Sequence, residues 1–441
     1  MSINMVTIAK QMTKSFLLLG TMMCVPSVLQ AQITVLDEDA DDDEIEVVGD
    51  DGVEEIEFPE SMTYNLDSLM NQYMSKTYLT PDNDCQMKNE NPTFTKEVYI
   101  DRLHRMPTIM EMPYNEVVQS CIDRYTGRLR RSVSFFLGAA NFYMPIFEEA
   151  LETYQMPLEL KYLPVIESAL NPTAVSRVGA TGLWQFMITT GKAYGLEVNS
   201  LVDERRDPVK ASYAAARYLR DLYRIFNDWN LVIAAYNCGP ENINKAIRRS
   251  GGETDYWKIY PYLPRETRGY VPAFIAANYV MKYYCEHNIC PMNSQLPAKT
   301  DTVVVNQNVN FSQLVNVCGF DLQMLRSLNP EYRRDIVPGA TKPSAIRLPV
   351  QDVARFIDLQ DSVFAINSAT DKRVMVEVEE DVVKPAKAEK RSTAGAKWHT
   401  VKRGDTIGGL AKKYKTKASA IRKLNGLRNN NIRAGQKLRI R

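Results

Sequence analysis

Hydrophobic positions recur at helical spacing through the middle of the chain. Apolar residues return every three to four positions over residues 117–125 and again over 135–143, as they do along one face of an amphipathic helix. Four later segments have the same period: 208–226, 231–236, 242–249 and 271–284. Because few alternating, strand-like runs lie between them, the pattern predicts an all-α domain over residues 114–291.

The pattern changes after residue 291. Residues 302–350 begin with a strand-like run, continue through two short helical segments and end in a second strand-like run. Residues 397–441 repeat this order, and Leu328-Asn329-Pro330 of the first copy aligns with Leu424-Asn425-Gly426 of the second. Two copies of one βααβ unit are the simplest explanation.

Charge is distributed unevenly along the 441 residues. Residues 37–60 hold 14 acidic residues and no basic one, and residues 397–441 hold 14 Lys or Arg against the single acid Asp405. An acidic block of this kind buries too little apolar surface to order itself, so we expect a disordered tail over 32–63. The basic C-terminus is typical of nucleic-acid binding. An exported protein seldom meets nucleic acid, and the N-terminus described next indicates export. We therefore expect anionic wall polymers or lipid head groups, and not nucleic acid, as the counterions.

The N-terminus has the features of an export signal. Lys10 and Lys14 precede an apolar segment, 16–28, that is too short to span a bilayer. We expect a signal peptide over 1–31, cleaved near Ala31, and an exported protein in the periplasm or cell envelope of a Gram-negative bacterium. Lipid anchoring at Cys24 is disfavoured because a methionine, not a small residue, precedes it. Peripheral association with the membrane or envelope stays open, as does the oligomeric state.

Six cysteines would remain after removal of the signal: Cys85, Cys121, Cys238, Cys285, Cys290 and Cys318. An oxidising compartment allows them to pair, and the sequence leaves all full connectivities open. Cys285 and Cys290 are close in sequence, although one continuous helix would point them to different faces. His287 lies between them, but a Cys-His-Cys cluster without a fourth ligand is a weak zinc signal. We therefore expect no metal and no cofactor.

Glu167 is the strongest candidate for chemistry. It lies in the apolar run Leu163-Pro164-Val165-Ile166-Glu167-Ser168-Ala169-Leu170, where burial raises the pKa of a carboxyl group. A glutamic acid with a raised pKa can donate a proton to a leaving oxygen near neutral pH. Ordinary glycosidases need a second carboxylate, and none lies near this motif in sequence.

Three spaced motifs occur in order: Glu167-Ser168, Gly182-Leu183-Trp184-Gln185 and Ala235-Tyr236-Asn237-Cys238-Gly239, followed by Gly269-Tyr270-Val271-Pro272. Together they resemble the lytic transglycosylases of the soluble-lytic-transglycosylase, lysozyme-like superfamily. Trp184 in place of the usual methionine, and Pro157-Leu158-Glu159-Leu160 ahead of the catalytic stretch, point to the membrane-bound type D subgroup. Cys238 departs from the small residue that is usual there, and we expect little effect.

The resemblance implies a reaction that uses one carboxyl group. Glu167 would protonate the glycosidic oxygen between N-acetylmuramic acid and N-acetylglucosamine, with Ser168 as its hydrogen-bonding support. The substrate's own 2-acetamido group would stabilise the cationic centre. Glu167 would then take the proton of the C6 hydroxyl, so that the ring closes as 1,6-anhydro-N-acetylmuramic acid without consuming water. Tyr270 would close the cleft near Glu167.

Five further residues acquire roles from the same resemblance. Ser176, Gln185 and Met187 stand where the family lines its sugar site. Tyr236 would approach the acetamido group, and Asn237 would help to hold the pocket. Without the resemblance, a methionine at this spacing is more often part of a hydrophobic core than a ligand contact, and the asparagine fits a helix C-cap.

The second βααβ copy resembles the LysM domain, which binds glycans containing N-acetylglucosamine. The resemblance places six residues near the sugar: Gly404, Asp405, Thr406, Asn425, Gly426 and Leu427. The first copy has Val309-Asn310-Phe311-Ser312 where the second has its Gly-Asp-Thr turn, so we interpret it as a degenerate copy that could serve only as a spacer. Residues 351–396 are expected to be a linker.

The predicted fold class is mainly α, a lysozyme-like catalytic domain followed by two small βααβ modules. The predicted order is signal peptide 1–31, acidic tail 32–63, N-terminal extension 64–113, catalytic domain 114–291, degenerate module 302–350, linker 351–396 and LysM domain 397–441. The expected partner is the peptidoglycan glycan strand. Two other functions stay open: a hydrolytic muramidase of the goose-lysozyme type, and a non-catalytic wall-binding scaffold.

Overall fold

The structure is a computed structural model that describes residues 44–49, 52–62, 79–88, 90–366, 398–402, 405–414, 416, 418–425, 433 and 435–440. The predicted signal peptide with Cys24, most of the predicted linker, and Gly404, Gly426 and Leu427 lie outside these residues. Within them the chain is mainly helical, with small two-stranded sheets in the C-terminal modules. The predicted fold class is confirmed.

Side chains cap the N-terminus of several helices in the helical domain. Asn115 caps α2 (Glu116–Thr126) by accepting from Val118 N at 2.9 Å, Asp207 caps α6 (Pro208–Phe226) by accepting from Val209 N at 2.9 Å, and Asp228 caps α7 (Trp229–Cys238) by accepting from Leu231 N at 2.8 Å. The helices of this domain are α1 (Lys96–His104), α2 (Glu116–Thr126), α3 (Arg130–Thr153), α4 (Leu163–Ser168), α5 (Ile188–Ala193), α6 (Pro208–Phe226), α7 (Trp229–Cys238), α8 (Pro240–Arg249), α9 (Tyr256–Ile259), α10 (Arg265–Arg268) and α11 (Tyr270–Tyr283).

Helix α11 is the centre of the helical domain. Every residue from Tyr270 to Met281 is buried, as expected for a helix that is surrounded by others. It packs against α2, α4 and α7. Its first residue, Tyr270, therefore lies beside the end of α4, where Glu167 is located.

Part of the predicted disordered tail is ordered, which corrects that expectation. Strands β1 (Glu44–Gly49) and β2 (Gly52–Glu57) form an antiparallel hairpin, and Phe58 and Met62 are buried in the core of the helical domain. The charge of the block obscured the few apolar residues that anchor its C-terminal end. These apolar residues supply the burial that an acidic segment otherwise lacks.

The predicted boundary at residue 114 does not separate two bodies. Tyr99 and Leu103 of α1, and Met106, Met110 and Met112 after it, belong to the same core as α11. The buried carboxylate of Glu159 accepts a hydrogen bond from Met110 N at 2.7 Å. The described part of the predicted N-terminal extension, residues 79–88 and 90–113, therefore belongs to the helical domain.

One disulfide joins Cys85 to Cys290, so the Cys285–Cys290 pairing that sequence proximity allowed does not form. The bond lies beside the short strands β3 (Leu79–Thr80) and β4 (Asn293–Ser294), which pair with each other. Cys121, Cys238, Cys285 and Cys318 are free thiols. The side chain of His287 is buried, and its ring nitrogens lie 3.0 Å from Tyr279 Oη and 2.9 Å from Asn91 Oδ1. Both nitrogens therefore have hydrogen-bond partners within the protein.

The first C-terminal module extends further than predicted. It contains β5 (Thr300–Val305), β6 (Asn308–Asn310), α12 (Phe311–Cys318), α13 (Leu322–Leu328), β7 (Ile336–Pro338), β8 (Ser344–Pro349) and α14 (Val350–Ala365). Phe356 and Val363 of α14 are buried in the module's core. The expectation of a linker from residue 351 is therefore wrong for residues 351–365, which form a packed amphipathic helix.

This module is docked on the helical domain. Asp203 N donates to Glu331 O at 2.9 Å, and Arg333 N donates to Leu201 O at 2.8 Å, so the two backbones pair directly. Leu201 and Val202 are buried in the same cluster as Tyr332. These contacts fix the module against the helical domain. A flexible spacer would not need such contacts.

The second module repeats the first in its structure. It contains β9 (Trp398–Thr400), α15 (Ile407–Lys413), α16 (Ala418–Asn425) and β10 (Lys437–Arg439), and β9 pairs with β10. The aligned asparagines Asn329 and Asn425 make the same contacts. Each side chain donates to the carbonyl four residues earlier and to a carbonyl of the closing strand, and accepts from a backbone N–H of that strand at 2.6 to 2.7 Å.

Replacing Asn329 tests this shared contact. Asn329→Ala should lower the free energy of unfolding of the first module by about 1–3 kcal/mol, because the N–H and carbonyl groups that Asn329 satisfies are left unpaired. The denaturation midpoint should fall accordingly. Urea denaturation followed by circular dichroism measures the change. The control is Asn308→Ala, which removes one longer bond to Ala340 N at 3.2 Å. Equal midpoints for the two variants would contradict the role of Asn329.

Candidate active site

A cleft of about 590 Å³ opens at the end of α4. Its lining brings together residues from six parts of the chain that are far apart in sequence. The lining residues are Glu57, Phe58, Pro59, Ile166, Glu167, Ser176, Arg177, Val178, Ala180, Gln185, Met187, Tyr236, Asn237, Glu266 and Tyr270. The structure therefore places seven of the eight predicted cleft residues around one cavity.

Glu167 reaches the cleft because α4 ends abruptly. The two residues that follow the helix, Ala169 and Leu170, have left-handed backbones, with φ of 52° and 58°. Two consecutive non-glycine residues in this region are costly, at about 1–3 kcal/mol each, and such conformations concentrate at functional sites. Both side chains are fully buried, so the surrounding core holds this turn in place.

Ser168 lies behind the turn and is not among the residues that line the cleft. Its buried hydroxyl donates to Pro164 O at 3.0 Å and to Leu183 O at 2.9 Å. The second contact ties the end of α4 to the Gly182–Gln185 turn. These contacts hold the helix end that carries Glu167, and a part for Ser168 in substrate binding stays a prediction.

Tyr270 donates a hydrogen bond from its hydroxyl to Glu167 Oε1. Burial raises the pKa of Glu167 to about 7, and the Tyr270 hydrogen bond, which favours the ionised form, opposes that shift. Burial also raises the pKa of Tyr270 far above its usual range, with Glu167 as a further cause. Near neutral pH the carboxyl group is thus close to its midpoint and can both give and take a proton.

The turn before Gln185 needs its glycine. Gly182 has a φ of +88°, and a Cβ there would lie 1.8 Å from Arg205 O. Gln185 follows with a φ of 47°, and its Nε2 donates to Gly182 O at 2.8 Å and Ala174 O at 3.3 Å. Trp184 points away into the core, where its Nε1 donates to Ser212 Oγ at 2.9 Å. The turn therefore presents the amide of Gln185, and not the indole, to the cleft.

Two residues at the C-terminal end of α7 form another side of the cleft. The hydroxyl of Tyr236 donates to Trp184 O at 2.7 Å, so this group is used to hold the Gln185 turn while the ring lines the cavity. Asn237 Oδ1 accepts from Thr267 Oγ1 at 3.0 Å. Ser176 lies in the facing turn, where its Oγ accepts from Ala180 N at 3.1 Å, and Met187 precedes α5.

Sequence reasoning missed two carboxylates in the cleft lining, Glu57 and Glu266. Glu57 comes from the N-terminal hairpin and lies 3.9 Å from Arg265 Nε. Glu266 is exposed, on the short helix α10. The only local signal was the apolar end of the acidic block, Phe58-Pro59.

The predicted LysM sugar contacts that the structure describes have structural partners. Asp405 Oδ2 contacts His399 Nε2 and accepts from Lys402 N, both at 2.8 Å. Thr406 caps α15 by accepting from Gly409 N at 3.1 Å. Asn425 makes the strand contacts described above. These residues shape the module, and their part in sugar binding stays a prediction.

In the described part of the chain, no set of three or more His, Cys, Asp or Glu side chains is arranged to hold a metal ion. No helix among the described residues combines the length and the apolar character needed to cross a bilayer.

Comparison with protein families confirms the resemblance found in the motifs. Residues 144–259 match the Transglycosylase SLT domain, residues 299–365 match the LysM-like domain of lytic transglycosylase MltD, and residues 399–441 match the LysM domain. The second match ends at the C-terminus of α14, which agrees with the extended first module.

The chain is also similar to individual proteins. The chain is 28% identical over 289 residues to the membrane-bound lytic murein transglycosylase D of Escherichia coli K12, which covers 65% of this chain and 60% of that protein. It is 33% identical over 124 residues to the soluble lytic murein transglycosylase of the same strain, covering 27% of this chain and 19% of that protein. The solved 70 kDa soluble lytic transglycosylase of Escherichia coli matches 34% of this chain and 26% of its own, with 28% identity and a TM-score of 0.29.

The raised pKa of Glu167 predicts a pH-dependent stability. The folded protein holds this proton up to about pH 7, and the unfolded chain releases it near 4.5, so stability from this group is present below 4.5 and is lost as the pH rises through 7. Glu167→Gln removes the ionisation. The melting temperature of this variant minus that of the wild type should therefore increase from pH 5 to pH 8.

The matched control for this measurement is Glu241→Gln, because Glu241 is an exposed residue on α8. The difference from wild type should not change with pH for the control. A Glu167→Gln difference that is equally independent of pH would contradict burial as the cause of the raised pKa.

Proposed function

Since the chain carries a transglycosylase SLT domain, a LysM-like domain of the MltD type and a LysM domain, we propose that it is a peptidoglycan lytic transglycosylase. The observation that carries the proposal is the placement of Glu167, which lies in the cleft with its pKa raised by burial and its carboxylate within reach of Tyr270. The chain spans about 60% of the length of the type D relative. The relative's activity is therefore not transferred to the chain, and the proposal rests on the site.

In the first step the protonated Glu167 donates to the oxygen that links N-acetylmuramic acid to N-acetylglucosamine. The bond from C1 of the muramic acid to that oxygen breaks, and the N-acetylglucosamine leaves as an alcohol. The positive charge that develops at C1 is stabilised by the 2-acetamido group of the same sugar. Tyr236 and Asn237 line the cleft on the side of α7 and are the residues we assign to that group.

In the second step the ionised Glu167 takes the proton from the C6 hydroxyl, and O6 bonds to C1. The product is the 1,6-anhydro sugar, no water is consumed, and Glu167 returns to its protonated state. The hydrogen bond from Tyr270 stabilises the carboxylate between the two steps. Gln185, Ser176 and Met187 are assigned to sugar binding because they line the same cavity.

The two additional carboxylates favour a hydrolytic muramidase as the second candidate, since such an enzyme needs a base to direct water. Glu57 lies 3.9 Å from Arg265 Nε, and Glu266 is an exposed residue of the cleft lining. A neighbouring guanidinium favours the ionised form of a carboxyl group and so makes it a weaker base. Because Glu57 has such a neighbour and Glu266 is exposed, the single-acid reaction is favoured.

The modules and the predicted export signal suggest where the enzyme acts. We assign residues 397–441 to glycan binding, with Gly404, Asp405, Thr406, Asn425, Gly426 and Leu427 as the contact region, and residues 366–396 to the linker. A tethered glycan-binding module raises the local concentration of substrate at the cleft. We assign the protein to the cell envelope as an exported enzyme.

Replacing Glu167 tests the catalytic assignment. Glu167→Gln keeps the size of the side chain and removes the titrating group, so release of anhydro-muropeptides from purified sacculi should fall by at least about 100-fold. Mass spectrometry of the products measures the effect, and pull-down on insoluble peptidoglycan should show that glycan binding is retained.

Glu241→Gln serves as the control and should leave product release unchanged. Turnover by Glu167→Gln within a few fold of the wild type would refute the assignment.

The pH profile of kcat/KM tests the order of the two steps. A carboxyl group that must start protonated gives a rate that is level below about pH 7 and falls above it. Tyr270→Phe removes the hydrogen bond that lowers this pKa, so the falling limb should move to higher pH while kcat decreases. A limb that moves to lower pH, or a rate that rises through pH 7, would contradict the proposal.

A further inference from the structure

The carbonyl of Ile166 has a hydrogen-bond partner from a distant part of the chain. Ile166 and Glu167 share this peptide group, and it lies in the last turn of α4, where carbonyls lack partners within the helix. The two preceding carbonyls have partners at the helix end: Leu170 N donates to Pro164 O and Ala169 N donates to Val165 O, both at 3.2 Å. The hydroxyl of Ser61 donates to Ile166 O.

Ser61 belongs to a short segment that is anchored in the core. Phe58, Ser61 and Met62 are all buried. The guanidinium carbon of Arg124 lies 4.1 Å from the centre of the Phe58 ring, and Arg124 Nε donates to Met62 O at 3.2 Å. Because three of its side chains are buried, and because the Ser61 hydroxyl and the Met62 carbonyl have hydrogen-bond partners, the segment is a fixed part of the fold.

The same segment faces the cleft. Glu57, Phe58 and Pro59 line the cavity that contains Glu167, and Glu57 is held by Arg265 at 3.9 Å. This side of the cavity is formed by residues that precede the region matching the SLT domain, which starts at residue 144. The cleft is therefore incomplete without it.

We propose that residues 57–62, the N-terminal wall segment, form a permanent wall of the cleft, and that Ser61 is a positioning residue for Glu167. The inference deepens the proposed function and rests on it for its kinetic readout. The physical basis is that the Ser61 hydroxyl fixes the peptide plane between Ile166 and Glu167. A rotation of that plane moves the carboxyl group relative to Tyr270 and to the substrate, and misplacement by about 1 Å can lower a rate 100-fold.

Ser61→Ala tests the positioning role. It should lower kcat about tenfold or more with KM changed less than twofold. It should also raise the pKa of Glu167, because the carboxyl group moves away from the Tyr270 hydroxyl. Ser61→Thr keeps the hydroxyl and should recover most of kcat. The matched control is Ser250→Ala, which removes a serine-to-carbonyl bond of 2.8 Å to Ile247 O at the end of α8 and should leave both readouts unchanged.

The pKa is measured without substrate, by carbon NMR of protein with labelled glutamate, with Glu167→Gln used to identify the signal. A Ser61→Ala protein that melts earlier but keeps the wild-type kcat and the wild-type Glu167 pKa would overturn the positioning role. If the wild type releases no anhydro products, the proposed function fails, and the NMR titration still decides whether Ser61 positions Glu167.

Two shortened chains test the wall. Removal of residues 1–43 leaves the hairpin and the wall segment and should retain wild-type kinetics. Removal of residues 1–62 should abolish turnover and weaken binding of soluble glycan fragments at the cleft, with the melting transition of the helical domain still present. Equal turnover by the two shortened chains would overturn the wall.

Discussion

The candidate active site depends on how α4 ends. After Ser168 the chain passes through two consecutive left-handed residues, Ala169 and Leu170, which turn it into the core and leave Glu167 at the edge of the cleft. The turn is unfavourable by itself, so it has to be held by packing and hydrogen bonds from elsewhere. Burial of this position then raises the pKa of Glu167 to about 7.

Three distant parts of the chain hold that turn. Ser61 caps the carbonyl before Glu167, Ser168 ties the helix end to Leu183, and Tyr270 at the start of the central helix contacts the carboxyl group itself. Tyr236 adds a fourth link by holding Trp184 O. The cleft is thus lined by residues of rigid elements, which is the arrangement that can hold a functional group within about 0.5 Å of its working position.

Local patterns predicted those features whose causes are local. Helical periodicity placed α6 and α11 to within a residue or two, the repeat of Leu-Asn pairs revealed two related modules, and the apolar run around Glu167 indicated a raised pKa. The Cys85–Cys290 bond and the Ser61 contact were not predictable in this way, because they join residues 205 and 105 positions apart. In the acidic block and in residues 351–365, charge obscured a few apolar residues, Phe58, Met62, Phe356 and Val363, that decide the structure.

We propose that one carboxyl group performs both halves of the reaction and that the sugar's own C6 hydroxyl takes the place of water. Digestion of sacculi in heavy-oxygen water, followed by mass spectrometry of the new muramic acid ends, tests this proposal. Attack by the C6 hydroxyl gives ends that carry no heavy oxygen and are lighter by one water than hydrolysed ends. Ends that incorporate one heavy oxygen would show that a water molecule attacks C1, and the claim would be wrong.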